Sequence, residues 1–451
     1  MKNANRPPGP KTKNPLGFIH KIRGDIIGFL TRIALEYGDI VNFRVGPMQM
    51  YFLNHPDYIK DVLVTNQRNF SKGRPLELAK RLLGEGLLTS EGAFHLRQRR
   101  MIQPIFHKKR IESYGVVMTE YATRLGDRWV DGATVDMANE MMQMALAIAS
   151  KTMFSTDIET ESVGIGKALT DAMSLFDRVS IPLSELLLNL PLPSTLRFYR
   201  AKAHLDKTIY RMIEDRRKNS EKYDDLLALL LSAQDEEGDK SRMTDEQVRD
   251  EALIFLLAAY DTTALALTWT WYLLSQYPQV ESALHAEIDS VLGGRLPSVE
   301  DLPQLTFTRM VFTEAMRLYP PGYIIARKAL DDYEIDNYFI PAGSTILMSP
   351  FVMQRDPRYY NEPRKFNPLR WAGEAHANAP KFAYFPFGGG PRVCIGDSFA
   401  WLEGCLVMAT LAQRWRMILV PGHPVAILPL LNLRPKYGMR MILECRRYGK
   451  K

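Results

Sequence analysis

One long apolar segment limits what this chain can fold into more than any other stretch of its sequence. Residues 252–274 are mostly apolar, but an aspartate and two threonines lie at the centre of the run, at residues 261–263. The length would cross a bilayer, yet a carboxylate at mid-membrane is expensive. Thr244 and Gln247 form a capping-box pattern, which predicts the start of the helix. The segment therefore favours a buried helix through a large soluble protein over a membrane span.

The remaining sequence supplies enough chain to surround such a helix. The protein has 451 residues, of which 46% are hydrophobic and 24% charged, as is typical of soluble domains. Apolar spacing is helical over residues 91–290, whereas strand-like runs occur near the ends, as at residues 338–340 and 344–348. No shift in composition marks a boundary, so we expect one mainly α domain over residues 1–451, opening with an extended Pro-rich segment at residues 1–15.

Local patterns predict several further elements. A helix followed by a strand is expected within residues 31–46, and residues 50–53 continue a hairpin after a Gly-Pro turn. A short helix is expected over residues 57–67, after a proline. Pro104 should end the helix that precedes it. A last helix is expected from about Asp397 to Trp415.

Charge and cysteine content indicate the cellular compartment and the kinds of partner that the protein could have. The net charge of +7 indicates either general solubility or a local basic face for an acidic partner. Three cysteines make no disulfide framework, which favours a reducing compartment. The N-terminus lacks the apolar core of a signal peptide. We expect a soluble cytoplasmic protein; the alternative is a membrane-anchored protein that has lost its anchor.

A glycine-rich loop at residues 385–396 carries one cysteine, Cys394. Glycines and prolines specify a tight loop, and a helix is expected directly after it. A helix start and the nearby Arg392 both favour a thiolate. The loop has no histidine for nucleophilic catalysis and no second cysteine at zinc spacing. A lone thiolate suits an axial ligand of haem iron, whereas the plainer interpretation is a buried structural cysteine.

The loop resembles the haem-binding signature of the cytochrome P450 family, F-x-x-G-x-R-x-C-x-G, at every specified position. The resemblance implies haem b, iron protoporphyrin IX, with Cys394 as the thiolate ligand and Phe387, Gly388 and Gly396 beside it. It also implies a mainly α cytochrome P450 fold, with about a dozen helices, a smaller β-rich region, and haem buried between the central helix and the helix after the loop.

Two further motifs occur in the order that the family has. Glu314 and Arg317 resemble its E-x-x-R pair; they share one helix face, and Arg370 is implied to complete a structural network with them. Residues 258–263 resemble its A-G-x-D/E-T-T motif. The family assigns oxygen binding to the alcohol, Thr262, and proton supply to the acid, Asp261. A merely structural alternative is that Thr262 bonds the carbonyl four residues earlier. Ala258 is implied to face the haem, and Ala259 replaces the usual glycine.

Cations expected at the haem propionates follow from the same resemblance. His95 and Arg99 match the family's W/H-x-x-x-R helix, and Arg327 and Arg392 match its other two arginines. The surrounding basic stretch suggests a docking face for a separate electron donor, such as a ferredoxin, a flavodoxin or a diflavin reductase. Its residues would be Arg97, Arg100, Lys108 and Lys109. A solvated basic surface is the alternative, and no motif supports nucleic-acid binding.

Family position suggests which segments line the substrate cavity: residues 76–88, 257–258, 322–325 and 430–433. Within them we expect pocket contacts from Leu257, Ala258, Gly322, Tyr323, Ile324 and Leu431. Because these residues are largely apolar, the substrate should be hydrophobic, in the fatty acid, terpenoid or steroid class.

The resemblance thus implies a haem-thiolate monooxygenase that inserts one atom of dioxygen by hydroxylation or epoxidation, without a fused reductase. Two alternatives stay open: a peroxide-using peroxygenase or isomerase, and a non-catalytic haem sensor.

Overall fold

Helices account for most of the described residues, and the strands among them form four small sheets. The computed structural model describes residues 5–156, 162–173, 190–238, 240–373 and 379–446. The described helices are α1 (Ile19–Tyr37), α2 (Pro56–Lys60), α3 (Arg74–Leu83), α4 (Gly92–Ile102), α5 (Lys108–Ser113), α6 (Gly115–Arg128), α7 (Met137–Phe154), α8 (Ser162–Met173), α9 (Pro193–Lys218), α10 (Leu226–Ser232), α11 (Asp245–Gln276), α12 (Pro278–Leu292), α13 (Thr306–Leu318), α14 (Pro350–Met353) and α15 (Asp397–Arg414).

The central helix α11 begins as predicted, because the Thr244 side chain accepts from the Gln247 N–H and the Gln247 side chain accepts from the Thr244 N–H. It packs against α7, α9 and α13, and most of its residues are buried. Among the described residues this helix alone has the length and apolar composition to cross a membrane, and most of that apolar stretch is buried within the fold.

The largest sheet lies at the N-terminal side and has the strand order β1 (Ile40–Val45), β2 (Met48–Leu53), β8 (Thr345–Met348), β5 (Ile325–Ala329) and β3 (Phe70–Ser71). Strands β1 and β2 form the predicted hairpin, with Gly46 at φ +57° in its turn. Strand β8 pairs parallel to β2 and antiparallel to β5, which brings residues 325–329 to one end of the cavity described below.

Three smaller sheets complete the β structure of the described residues. They combine β4 (Thr134–Asp136), β12 (Arg440–Cys445) and β9 (Trp415–Leu419); β6 (Tyr333–Ile335) and β7 (Tyr338–Ile340); and β10 (Ile427–Pro429) and β11 (Leu433–Pro435). Sheet β10–β11 is a short antiparallel hairpin that reaches back to α11.

Most local predictions agree with the structure, with differences at element ends. Helix α1 begins at Ile19, well before residue 31. The helix expected over residues 57–67 is shorter, because α2 changes into a π-helical turn at Asp61–Thr65. Helix α4 ends at Ile102, close to Pro104 as expected. Residues 5–14 are extended along the sheet, where the Pro8 carbonyl accepts from the Asn42 N–H; residues 1–4 lie outside the described residues.

Candidate functional site

A cavity of about 390 Å³ separates α11 from the loop that precedes α15. Thr262 of α11 lines it on one side, and Cys394 and Gly396 line it on the other. Strand β5 contributes Ile325 and Arg327, and α4 contributes His95 and Arg99. The structure therefore brings the predicted cysteine, alcohol and cations to the wall of one cavity.

The cysteine loop is held by its own backbone and by the π-helical turn. The Cys394 N–H donates to the Phe387 carbonyl at 3.0 Å, and the Gly388 N–H donates to the Phe385 carbonyl at 3.0 Å. Gly390 has φ +67°, and a Cβ there would overlap with the Leu63 carbonyl oxygen. Both the left-handed backbone and this close approach require glycine. The loop therefore fixes the position of the Cys394 sulfur.

The environment of the thiol differs from the prediction. Burial raises the pKa of Cys394, and Asp397 raises it further, whereas the Gly396 N–H and Arg99 lower it. Arg392, the cation expected beside the thiol, instead pairs with Glu91 and donates to the Ser90 carbonyl at 2.9 Å. The sulfur is open to the cavity although protein surrounds it on its other sides. A metal cation that displaces the proton would stabilise the thiolate here.

Five nitrogen-bearing side chains gather at one end of the cavity: Lys72, His95, Arg99, Arg327 and Arg392. Burial and mutual repulsion lower the pKa of Lys72 to about 6, that of His95 to about 3 and that of Arg327 to about 10. Glu91 raises the pKa values of Lys72 and Arg327, and Glu251 also raises that of Lys72. Such a cluster has more buried positive charge than nearby carboxylates balance, so it favours an anionic ligand.

Sequence reasoning missed Lys72. Its Nζ donates to the Leu87 carbonyl at 3.0 Å and to the Leu88 carbonyl, and the side chain is buried. A lone lysine between a short strand and a helix gives no motif, so only its burial at the cavity identifies it.

Glycines leave room for a flat group next to the sulfur. A Cβ at Gly322, Gly388 or Gly396 would meet no protein atom closer than 4.0, 3.7 or 3.9 Å, respectively, and all three residues line the cavity. At Gly322 and Gly396, φ lies outside the left-handed region, so the protein's own packing does not require glycine. Together with the thiol and the cation cluster, this open surface fits haem, whose flat ring carries two carboxylates.

The two members of the acid–alcohol pair face different surroundings. Thr262 lines the cavity, and its Oγ1 donates to the Ala258 carbonyl at 2.8 Å, which is the structural alternative considered from the sequence. Asp261 is fully buried away from the cavity lining. It accepts from Asn432 Nδ2 at 2.8 Å and from Arg434 Nη2 at 2.5 Å. Burial raises the pKa of Asp261, and Arg434 and Asn432 oppose that shift.

A second buried acid, Glu403 of α15, reaches α11 next to this pair. Burial raises the pKa of Glu403 to about 8, and a hydrogen bond with Thr263 lowers it in part. Thr263 also lines the cavity. Glu403 therefore links the helix after the cysteine loop to the central helix, and no sequence motif marked it.

Glu314, Arg317 and Arg370 lie together as the sequence predicts. Arg317 donates to both carboxylate oxygens of Glu314, at 2.8 and 2.9 Å, and Arg370 Nε donates to Oε1 at 2.8 Å. Trp371 Nε1 and the Asn367 N–H complete the shell around this carboxylate at 2.8 and 3.0 Å. Glu314 and Arg317 are fully buried. This network joins α13 to the segment that leads to the cysteine loop.

Comparison with known proteins agrees with this arrangement. The family model of cytochrome P450 matches residues 7–439. The chain belongs to the cytochrome P450 family. Two relatives from Streptomyces melanosporofaciens are cyclooctatin synthase, 40% identical over 91% of this chain and 89% of the relative, and cyclooctat-9-en-7-ol 5-monooxygenase, 37% identical over 86% and 84%. Pentalenene oxygenase of Streptomyces avermitilis is 34% identical over 92% of both chains.

Solved structures show the same fold. The haem domain of cytochrome P450DA superposes with a TM-score of 0.89 at 25% identity over 98% of each chain. A retinoic acid-bound cyanobacterial P450, CYP120A1, superposes with a TM-score of 0.87 at 23% identity over 99% of this chain and 100% of its own. This chain is thus a P450 monooxygenase, an oxidoreductase of a family that holds haem through a cysteine thiolate.

Four predicted pocket residues of this P450 do not line its cavity: Leu257, Tyr323, Ile324 and Leu431. The cavity face of α11 carries residues 254, 255, 258, 259, 262 and 263, which puts Leu257 in the core behind it. In strand β5, Ile325 and Arg327 face the cavity, whereas Ile324 lies just before the strand and does not line it. Tyr323 instead donates to the Pro429 and Leu430 carbonyls, and Asn432 lines the cavity where Leu431 was expected. Ala258 and Gly322 do line it.

Leu76, Leu87 and Leu88 line the cavity, within the segment 76–88 that was predicted from the sequence to do so. Consecutive charged side chains at the start of α11 hold that segment by its backbone. Arg249 Nη2 donates to the Leu82 carbonyl at 3.0 Å. Asp250 accepts from the Glu85 N–H at 2.8 Å, and Glu251 accepts from the Leu87 N–H at 3.0 Å. Arg249 also donates to Asp206 of α9. The start of α11 thereby joins two neighbouring segments.

The predicted basic face is more fully paired than its sequence indicates. Arg100 makes a two-pronged contact with Asp235, at 2.9–3.1 Å, and Arg97 donates to Ser241 Oγ at 2.5 Å. Lys108 lies 3.6 Å from Glu112. Lys109 is exposed and forms no ion pair within the described part of the chain. The loop after α10 thus neutralises part of the charge that was expected to be free.

Proposed function

We propose that this P450 hydroxylates or epoxidises an apolar terpenoid, with haem b held by the Cys394 thiolate and electrons supplied by a separate protein. One observation carries the proposal: a single apolar cavity joins a fixed thiol, a hydroxyl on the central helix and an unbalanced cluster of cations. The haem, when bound, supplies the chemistry of oxygen activation and insertion.

The chain's own residues would bind and orient this cofactor. Cys394 provides the iron ligand, and Lys72, His95, Arg99, Arg327 and Arg392 provide donors for two propionates. Arg392 must then divide its donors between a propionate and Glu91, with which it already pairs. Phe387, Gly388, Gly396 and Ala258 line the same cavity and would contact the cofactor.

Thr262 and Asp261 are proposed to handle protons at the oxygen-binding side. The Thr262 hydroxyl is open to the cavity and donates to the Ala258 carbonyl, which leaves its oxygen free to accept another hydrogen bond. Asp261 is held by Arg434 and Asn432, so it can pass a proton towards Thr262 only when these contacts loosen. Monooxygenase activity requires such a proton supply, whereas peroxide use and haem sensing do not.

The substrate class is proposed from two sources. Apolar side chains such as Leu76, Leu87, Ile254 and Phe255 dominate the wall of the cavity. The named relatives oxidise pentalenene and cyclooctat-9-en-7-ol, which are terpenoids. A polycyclic terpenoid matches the apolar wall.

Spectroscopy of the reduced carbon monoxide complex tests the haem ligand. The wild-type protein should give the absorbance band typical of thiolate ligation, and Cys394→Ser should lose that band. Cys405→Ser is the matched control, because Cys405 is buried in α15 outside the cavity lining. A serine variant at position 394 that kept the band would refute the ligand assignment.

Turnover with NADPH and a surrogate ferredoxin and reductase tests the reaction. We expect oxygenated products from polycyclic terpenes, and Thr262→Ala should consume NADPH while it forms little product. Product formation with peroxide alone, without benefit from the reductase, would favour a peroxygenase. Haem binding without turnover of any terpene, fatty acid or steroid would favour a sensor.

A further inference from the structure

We propose that Asn432 binds a hydroxyl group that the substrate already carries before this P450 oxidises it. The inference rests on the proposed terpenoid oxidation and adds a polar recognition point to an otherwise apolar site. Asn432 lies in the turn between β10 and β11 and lines the cavity.

The orientation of the Asn432 amide follows from its partner. Its Nδ2 donates to Asp261 Oδ2 at 2.8 Å, and Asp261 lies outside the cavity lining. The Asp261 carboxyl accepts from Arg434 through Oδ1 and from the amide nitrogen through Oδ2, so the amide nitrogen faces it. The amide is planar and carries its oxygen on the other branch. Oδ1 is therefore the polar atom left for the cavity, and no described residue bonds to it.

Other polar groups on the described cavity wall already have a role. The nitrogen-bearing side chains of Lys72, His95, Arg99, Arg327 and Arg392 form the anion-binding end. Thr262 donates to the Ala258 carbonyl, and Thr263 bonds to Glu403. Asn432 thus offers a neutral acceptor on an apolar wall, which suits an alcohol better than a cation or a carboxylate.

The backbone around Asn432 is held from both sides. The Leu433 N–H donates to the Pro321 carbonyl at 3.0 Å, and Trp269 Nε1 of α11 donates to the Leu433 carbonyl at 2.8 Å. Tyr323 Oη donates to the Leu430 carbonyl at 3.0 Å. An acceptor fixed in this way loses little freedom when a ligand binds, which is what specific recognition of one hydroxyl requires.

The inference places this P450 within a sequence of reactions. The step that supplies its substrate must leave a hydroxyl on the terpenoid skeleton. Either a cyclisation that ends with capture of water or an earlier oxygenation has that outcome. Its product then carries at least two oxygen atoms when the oxidation is a hydroxylation.

Binding of a matched pair of ligands tests the inference. Cedrol and cedrane are polycyclic terpenoids that differ by one hydroxyl, and each can be titrated into the holoenzyme while the spin-state shift of the haem is recorded. We expect the wild type to bind cedrol about threefold to tenfold more tightly, as one net hydrogen bond gives. In Asn432→Leu the ratio should fall to about one, with cedrane binding retained.

Two controls keep the result interpretable. Asn432→Ala replaces the leucine variant if that variant fails to give the carbon monoxide band. Tyr323→Phe removes a contact of the hairpin without touching the amide, and it should leave the ratio of the two dissociation constants unchanged.

Equal binding of cedrol and cedrane by the wild type, or an unchanged preference in Asn432→Leu, would overturn the role of Asn432 and leave terpenoid oxidation standing. No spin-state shift with this pair or with other polycyclic terpene and alcohol pairs would overturn both proposals.

Discussion

Two groups of buried charges in this protein differ in how well the polypeptide balances them. The carboxylate of Glu314 accepts from Arg317, Arg370, Trp371 and a backbone N–H, and it lies in the path between α13 and the cysteine loop. At the end of the cavity, burial and mutual repulsion lower the pKa values of Lys72, His95 and Arg327, although Glu91 opposes the shift at Lys72 and Arg327 and Glu251 opposes it at Lys72. The first group is complete within the chain, whereas the second is complete only with an anionic ligand.

This difference separates folding from function. Charges that serve the fold are satisfied by protein atoms, because an unpaired buried charge is destabilising at all times. Charges that serve a ligand must stay partly unsatisfied until the ligand arrives, and that cost appears as depressed pKa values of bases. Variants at the two groups should therefore respond differently, and the following predictions run from the largest expected effect to the smallest.

Glu314→Gln should be the most damaging change. It leaves the buried guanidinium of Arg317 without a counter-charge, at a cost of about 3–5 kcal/mol. That is a large part of the total stability of a typical domain, about 5–15 kcal/mol. Urea unfolding and the yield of haem-loaded protein measure the effect. Glu362→Gln, which breaks an exposed pair with Lys365, serves as the control and should cost less than about 1 kcal/mol. Similar losses in both variants would contradict the structural role of Glu314.

Arg327→Met should lower haem retention by about tenfold to a hundredfold, the value of one charge-assisted hydrogen bond. Its effect on the unfolding of haem-free protein should be small or stabilising, because the variant removes a repelled, buried charge. Transfer of haem to excess apomyoglobin gives the first quantity, and urea unfolding of the haem-free protein gives the second. A variant that retains haem normally but unfolds easily would place Arg327 with the structural charges instead.

Haem retention should depend on pH through Lys72. Burial first, and then repulsion by Arg392, lower the pKa of Lys72 to about 6 without an anion, while Glu91 raises it. A bound carboxylate favours the charged form, so haem binding takes up a proton between pH 6 and the higher pKa of the complex. Haem transfer to apomyoglobin should therefore be faster at pH 8.5 than at pH 6.5. Lys72→Met should lose this pH dependence, and an unchanged slope in that variant would exclude Lys72 as its source.

The smallest effect is expected at the surface. Lys109→Ala removes an exposed cation with no ion pair among the described residues, whereas the Arg100 charge is already balanced by Asp235. At low salt, Lys109→Ala should raise the KM for an acidic electron donor about twofold, and Arg100→Ala should raise it less. Equal effects, or none at either position, would remove this face from the proposed donor site.

Short motifs predicted local structure well, because each depends on local spacing. The capping box of α11 and the grouping of Glu314 with Arg317 follow from helix geometry, and the cysteine loop follows from its glycines. The sequence did not predict which side chains of the pocket segments point into the cavity. Leu257 and Ile324 lie one residue away from cavity-lining positions, and a shift of one residue reverses the face in a strand and moves it by about 100° in a helix.

Contacts between residues that are distant in sequence were also not predicted. The pairing of Arg100 with Asp235 and of Asp261 with Arg434 joins segments more than 100 residues apart, so neither pattern is visible locally. Lys72 also went unnoticed, since its importance comes from the cavity around it.

The attachment of residues 82–87 to the start of α11 affects how mutations could change the substrate specificity of this enzyme. Asp250 and Glu251 accept from the backbone N–H groups of Glu85 and Leu87, and Arg249 donates to the carbonyl of Leu82. Residues 82, 85 and 87 contribute only backbone atoms to these hydrogen bonds. Any residue except proline at positions 85 and 87 would therefore preserve them. Substitutions at Leu87 and Leu88 can therefore reshape the cavity while the wall keeps its place, which makes this segment suited to directed evolution of new specificities.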